Sequence, residues 1–341
     1  TMAYHVYVSN SGSDYLSHFL MDEDTGALTA RPNIDMGGGP GALATDSQQR
    51  WFFACMRSEK EFVTYRIDRS SGALARVSGV AAGSATYIYV DDTDSNLLAS
   101  YYGEGAVSVH GIDGNGNLTE EPLQWHETDG HAHSIQTDRS NRFAFVPHTV
   151  PANAIYQFHF DASAGKLTPN APASIQPETP EGPRHFVFHP TKDLLYSVNE
   201  DGCTVSAHHF NSEQGTLTSF QVISTKPTTP SMEGKSTAEI KITQDGKHLY
   251  ASNRDVSSDG HNTLAHFKIN VDGSLEEAGR YDTEAVPRFF DIDPTGKFLY
   301  AAGQNSGRLA SYRIGDKGVL EPMATYDVGE TPLWIQFVKQ A

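Results

Sequence analysis

The chain has 341 residues, 30 of them Gly and 17 Pro, and a formal net charge of −17. An acidic balance of that size with no basic tail argues against nucleic acid or an anionic membrane surface as partner, since both draw on excess Lys and Arg. No apolar run reaches the roughly 20 residues of a membrane helix, and Cys55 and Cys203, the only cysteines, give neither a disulfide framework nor a zinc spacing. A reducing, cytoplasmic setting is therefore expected. Met2, just ahead of the first strand, reads as the natural start, and Thr1 as a cloning remnant.

In chain order, the first elements form an incomplete unit. Residues 4 to 36 hold a strand from Tyr4 to Ser9, a second from Tyr15 to Leu20 and a third at Ala27-Leu28-Thr29. A fuller unit then repeats six times, roughly every 50 residues. Each copy has an alternating strand, an Asp-Pro-like turn, a Leu-Tyr-type strand, a strand ending near Phe-x-Ile-Asp, and a Gly-x-Leu segment. The first strands open near Gly41, Thr86, His133, Arg184, Glu239 and Arg288. After the last copy, Thr331 to Val338 has first-strand character with nothing behind it. Lending that strand to the incomplete N-terminal unit makes seven four-stranded units and closes a ring. An all-β, seven-bladed β-propeller over residues 1–341, a single domain, is the architecture expected.

The clearest copy is Gly182-Pro183-Arg184-His185-Phe186-Val187-Phe188-His189-Pro190, followed by Leu194 to Glu200. In such an antiparallel hairpin the start of the first strand and the end of the second share one sheet edge, so Arg184 and Glu200 should be neighbours. The same reasoning pairs Gly41 with Arg57, Thr86 with Tyr101, His133 with His148, Glu239 with Arg254 and Arg288 with Gln304, with Asn10 as the first-blade counterpart. All should gather at one mouth of the central channel. Arg57, Arg184, Arg254 and Arg288 together would recognise a carboxylate or phosphate through planar, forked donors. The competing reading is that they only tie blades together through Glu200 and Glu239.

Gly182-Pro183-Arg184-His185, Ser197-Val198-Asn199-Glu200, Ala238-Glu239-Ile240, Asn253-Arg254 and Pro287-Arg288 with Ala301-Ala302-Gly303-Gln304 resemble the bacterial 6-phosphogluconolactonases and the related carboxymuconate lactonizing enzymes. The resemblance spans essentially the whole chain. It implies a lactone hydrolase acting on a small anionic sugar lactone, 6-phosphoglucono-1,5-lactone first among candidates, with no cofactor and no metal. It also implies a reactive set of His133, Arg184, Glu200 and Arg254. Arg57, Tyr101, His148, His185, Glu239, Arg288 and Gln304 are expected to contact substrate, although His185 read alone is a packing residue and Glu239 equally a salt-bridge partner of Arg254.

Lactone hydrolysis needs a base for water, donors for the oxyanion and an acid for the ring oxygen. Glu200 or Glu239 would serve as base, the arginines as donors and His133 as acid or relay. A cycloisomerase and a non-catalytic binding propeller are the rival readings; the oligomeric state is not set by the sequence. His131, His133 and His148 make a minor zinc alternative. No Gly-x-Ser-x-Gly elbow is present, and Gly37 to Gly41 precede a strand rather than open a phosphate-binding helix.

Overall fold

The computed structural model describes residues 2–225, 231–257 and 260–341; Thr1, on which the reading of the chain start bears, lies outside them. Seven four-stranded antiparallel sheets form the blades of a propeller. The returned strand, Pro332–Lys339, pairs with Ala3–Asn10 as the innermost strand of the first blade, so the ring is closed by hydrogen bonds between the two ends of the chain.

Burial follows position in the blade. Second strands such as Leu194–Asn199 are sandwiched between neighbouring blades and buried at every residue, whereas outer strands such as Leu320–Asp327 are exposed along most of their length. The Asp that ends an inner strand folds back on the turn it begins: Asp46 accepts from the N–H groups of Arg50 and Trp51, and Asp91, Asp138 and Asp293 do the same in their blades. In the fifth blade His189 takes over, its Nδ1 accepting from the N–H groups of Thr191 and Lys192.

Neighbouring blades are tied by a repeated bond. The hydroxyls of Tyr7, Tyr196, Tyr250 and Tyr300 donate to the carbonyls of Gly72, Gly273, Gly318 and Gly26 at 2.6–2.8 Å. At Gly26, φ is +70° and an added Cβ would lie 2.5 Å from the Phe298 ring, so only glycine brings this turn close enough.

Several histidines are core groups. His18, His148, His208 and His266 are buried, and burial above all pushes each imidazole from its ordinary 6.5 down to about 4. A group neutral when folded but protonated when unfolded stabilises the fold fully above pH 6.5 and less as pH falls toward 4. Each unit of depression is worth about 1.4 kcal/mol. The urea midpoint is therefore expected to fall steeply across that window; a midpoint flat with pH would contradict the burial of these rings in neutral form.

Candidate active site

Six of the seven inner strands break register once, near their start. The pairing passes from Pro183–Asn199 directly to His185–Val198, from Pro287–Gly303 to Phe289–Ala302 and from Ala85–Tyr101 to Tyr87–Ser100, skipping Arg184, Arg288 and Thr86. Comparable shifts fall in Pro40–Thr45, at Leu333 and at Ala238-Glu239. A bulge turns the skipped residue out of the ladder and re-aims its side chain. In three blades the residue so re-aimed is polar, Thr86, Arg184 or Arg288, whereas in the first two it is Leu333 or the pair Gly41-Ala42.

Arg184 and Glu200 meet there as the hairpin geometry predicts. Arg184 is only 1% exposed. Its Nε lies 3.1 Å from Glu200 Oε2, with the N–H poorly aimed for a hydrogen bond, and its Nη1 donates to Ala238 O in the next blade at 2.5 Å. Arg254 Nη2 approaches the other Glu200 oxygen at 3.4 Å, while its Nε donates to Ser236 Oγ at 3.0 Å. Glu200 therefore bridges two guanidiniums from two blades, and its side chain keeps 25% exposure toward the mouth.

Arg288 and Arg57 complete the cluster, and neither makes an ion pair among the described residues. Burial and the charges of Arg184, Arg254 and Arg57 push Arg288 down to about 9; Glu200 only partly offsets them. Such crowding marks a place where an added anion is favourable. Arg254, Arg288 and Gln304 line a groove of about 400 Å³ together with Lys235, Ser236 and Asn305.

A second set runs along the inner strands. His133, 5% exposed, has Nδ1 at 3.1 Å from His185 Nε2. His185 Nδ1 is 3.0 Å from Glu239 Oε2, and Glu239 Oε1 accepts from the Ile240 N–H at 2.9 Å. Burial first, then Arg184, His185, Arg288 and Arg254, hold His133 well below the ordinary histidine range. Burial brings His185 down to about 4 against the pull of Glu239. Burial alone would raise Glu239, but His185 and Lys241 outweigh it and keep the carboxyl below its ordinary value. The set is thus neutral His, neutral His and carboxylate. Beside it Tyr87 meets Trp334 edge-on at a centroid separation of 5.1 Å, Phe289 stacks on the same Trp334 at 4.4 Å, and Lys241 Nζ sits 3.5 Å from Asp291 Oδ1.

Several expected positions differ. Tyr101 does not face the mouth: it is buried, bonds Ser108 Oγ at 2.8 Å and packs on Trp125. His148 is fully buried, held by Val146 O at 2.9 Å and Thr128 Oγ1 at 2.8 Å, and Asn10 ties its own hairpin to Gly329. All three are last residues of second strands, whose side chains alternation sends between blades. The next residue is the one that turns to the mouth. Tyr102 is the missed example, stacked on His131 at 4.1 Å and edge-on to His133 at 5.7 Å.

Glu239 does not pair with Arg254. The bulge at Ala238-Glu239 drops it toward His185 while Arg254 lies opposite Ser236. Nor do His131, His133 and His148 converge: His131 takes φ +68°, which breaks strand alternation, and its Nδ1 is bonded to Val150 O at 2.6 Å. Among the described residues no group of three His, Cys, Asp or Glu has metal-holding geometry.

Sequence comparison places these observations in a known context. A family described as "Lactonase, 7-bladed beta-propeller" matches residues 3–85 and 77–337. The chain is 32% identical over 336 residues to a 6-phosphogluconolactonase of Erwinia tasmaniensis and 32% over 333 residues to one of Cronobacter sakazakii, covering 97% of each chain in both cases. Among solved structures, the periplasmic gluconolactonase of Pseudomonas aeruginosa superposes with a TM-score of 0.89 at 22% identity, covering 99% of this chain and 100% of that one. At that identity the superposition establishes the fold alone, whereas the family match and the 32% relatives reach further. The chain belongs to the seven-bladed β-propeller lactonases, and it is a lactone hydrolase.

Proposed function

We propose that this lactonase hydrolyses 6-phosphoglucono-1,5-lactone to 6-phosphogluconate. The observation that carries the reading is the clustering of Arg57, Arg184, Arg254 and Arg288 with a single carboxylate, Glu200, which is paired to Arg184 and Arg254 alone, beside the groove of about 400 Å³. In a chain of net charge −17, fixed positive charge at a single mouth favours a small dianion. The relatives named 6-phosphogluconolactonase support phosphate as that anion.

The phosphate enters the groove against Arg288, Arg254 and Ser236, and the lactone ring lies over Glu200 toward His133. His133 is the base. It is neutral, and Nδ1 is occupied by His185, so Nε2 is the nitrogen left to meet water. The water oxygen bonds to the carbonyl carbon, its proton passes to Nε2, and the carbonyl π pair moves onto oxygen, where Arg184 and Arg254 donate to it. The tetrahedral species then collapses: the bond from carbon to the ring oxygen breaks, and that oxygen takes the proton back from His133. Glu200 holds the two guanidiniums in place.

The cytoplasmic setting expected from the sequence belongs to this proposal. Cys55 and Cys203 are buried in different blades, and among the described residues no helix is long and apolar enough to cross a membrane.

The test compares initial rates on 6-phosphoglucono-1,5-lactone and glucono-1,5-lactone, each above spontaneous hydrolysis. A much larger acceleration of the phosphorylated lactone than of the neutral one is expected. Arg288→Met is expected to raise KM for that substrate about tenfold or more, the effect of one lost charge-assisted bond, and to leave the neutral lactone unchanged. An equal effect on both lactones would remove phosphate from the groove.

A further inference from the structure

We infer that His185 and Glu239 are positioning residues, a buried relay that fixes the tautomer of His133 and leaves its Nε2 bare toward the mouth. This rests on the lactonase reading above and assigns to the pair a role other than substrate contact.

Glu239 is ionised, so both of its oxygens accept. Oε1 accepts from the Ile240 N–H, and Oε2 faces His185 Nδ1 at 3.0 Å, which must then carry the proton. A neutral imidazole with Nδ1–H has a bare Nε2, and that nitrogen faces His133 Nδ1 at 3.1 Å. His133 Nδ1 must in turn be the donor. Since His133 is neutral, its Nε2 has a free lone pair. One backbone N–H in the sixth blade thus dictates, through three side chains on three successive inner strands, which nitrogen of the fourth blade can take a proton.

The surroundings fit this arrangement. The charges of Arg184, Arg288 and Arg254 all act against a second proton on His133, and Tyr102 meets its ring edge-on. His185 is covered by the Tyr87 ring at 5.2 Å. Behind Glu239, Lys241 adds positive charge and is itself balanced by Asp291. A carboxylate this deep, 3% exposed, is costly to keep unless its partners are fixed, and the relay supplies fixed partners.

Glu239→Gln reverses the chain of protons. With its carbonyl oxygen held on the Ile240 N–H, the amide presents N–H₂ to His185 Nδ1. That nitrogen must then accept, His185 Nε2 becomes a donor, His133 Nδ1 becomes an acceptor, and the proton of His133 moves to Nε2, where the base needs a lone pair. Two readouts test this. In wild-type protein labelled with nitrogen-15 in its histidines, the His133 signal, assigned by its loss in His133→Asn, is expected to show Nδ1 protonated and Nε2 bare at neutral pH. The opposite pattern overturns the relay, whatever the substrate proves to be, and needs no variant at residue 239.

In Glu239→Gln the pattern is expected to invert, with kcat down at least about 100-fold and KM within about threefold. An unchanged kcat with raised KM would return Glu239 to substrate binding and overturn the relay. Failure of the wild type to hydrolyse any lactone would instead strike at the proposed reaction while leaving the tautomer measurement standing, so the two ideas fail separately.

Discussion

With His133 replaced by asparagine, kcat is expected to fall by about 10² to 10⁴-fold, the usual contribution of a positioned general base, while KM stays within severalfold. Asparagine keeps a comparable size and a polar end but has no proton affinity near neutral pH. No neighbour takes over. Both Glu200 oxygens are committed to guanidiniums at 3.1 and 3.4 Å, and Glu239 lies one imidazole further in, behind His185. The check is the initial rate of 6-phosphoglucono-1,5-lactone loss above its spontaneous hydrolysis, with folding followed by circular dichroism. A rate within tenfold of wild type would return the base to Glu200.

Arg184→Met is expected to lower kcat/KM by about 10² to 10³-fold, the scale of a lost oxyanion donor. Arg184 sits 1% exposed, fastened to Ala238 O and facing Glu200, so its remaining N–H groups are pre-aimed. Burial and the nearby Arg254 already push its pKa down to about 10; removing it relieves that repulsion and leaves Glu200 still paired with Arg254. The variant should therefore fold. Arg184→Lys should not recover the rate, since one ammonium cannot reach Ala238 O, Glu200 and substrate at once. Recovery to within threefold by lysine would reduce the role of Arg184 to bulk charge.

The ring was legible because it is written in repetition: alternating strands, Asp turns and two complementary half-units at the ends. Arg184 and Glu200 were legible because a hairpin edge is short-range geometry. Arg57, Glu200 and Gln304 each follow their strand-opening partners, Gly41, Arg184 and Arg288, by sixteen residues. Tyr101 and His148 follow theirs by fifteen, and in a strand one residue is the difference between core and mouth; Arg254 keeps the sixteen-residue interval when it is counted from Ala238, the first residue its ladder skips, rather than from Glu239. Strict use of the longer interval points to Tyr102. The contacts from His133 to His185 and from His185 to Glu239 cross between blades, at separations of 52 and 54 residues. They depend on how bulged strands lean around the axis, which a local pattern does not encode. Local pattern therefore leaves His185 open between substrate contact and packing, and Glu239 open between base, substrate contact and a salt bridge to Arg254.

The bulged inner strands bear on how such a molecule diverges. A residue that the ladder skips contributes no pairing to its sheet, so Thr86, Arg184, Glu239 and Arg288 are held by side-chain partners and packing rather than by interstrand bonds. Exchanging them alters chemistry while the interstrand bonds on either side persist. The wheel of strands and the chemistry of its rim are thus held by two different sets of bonds, one running along the backbone and the other between side chains of successive blades.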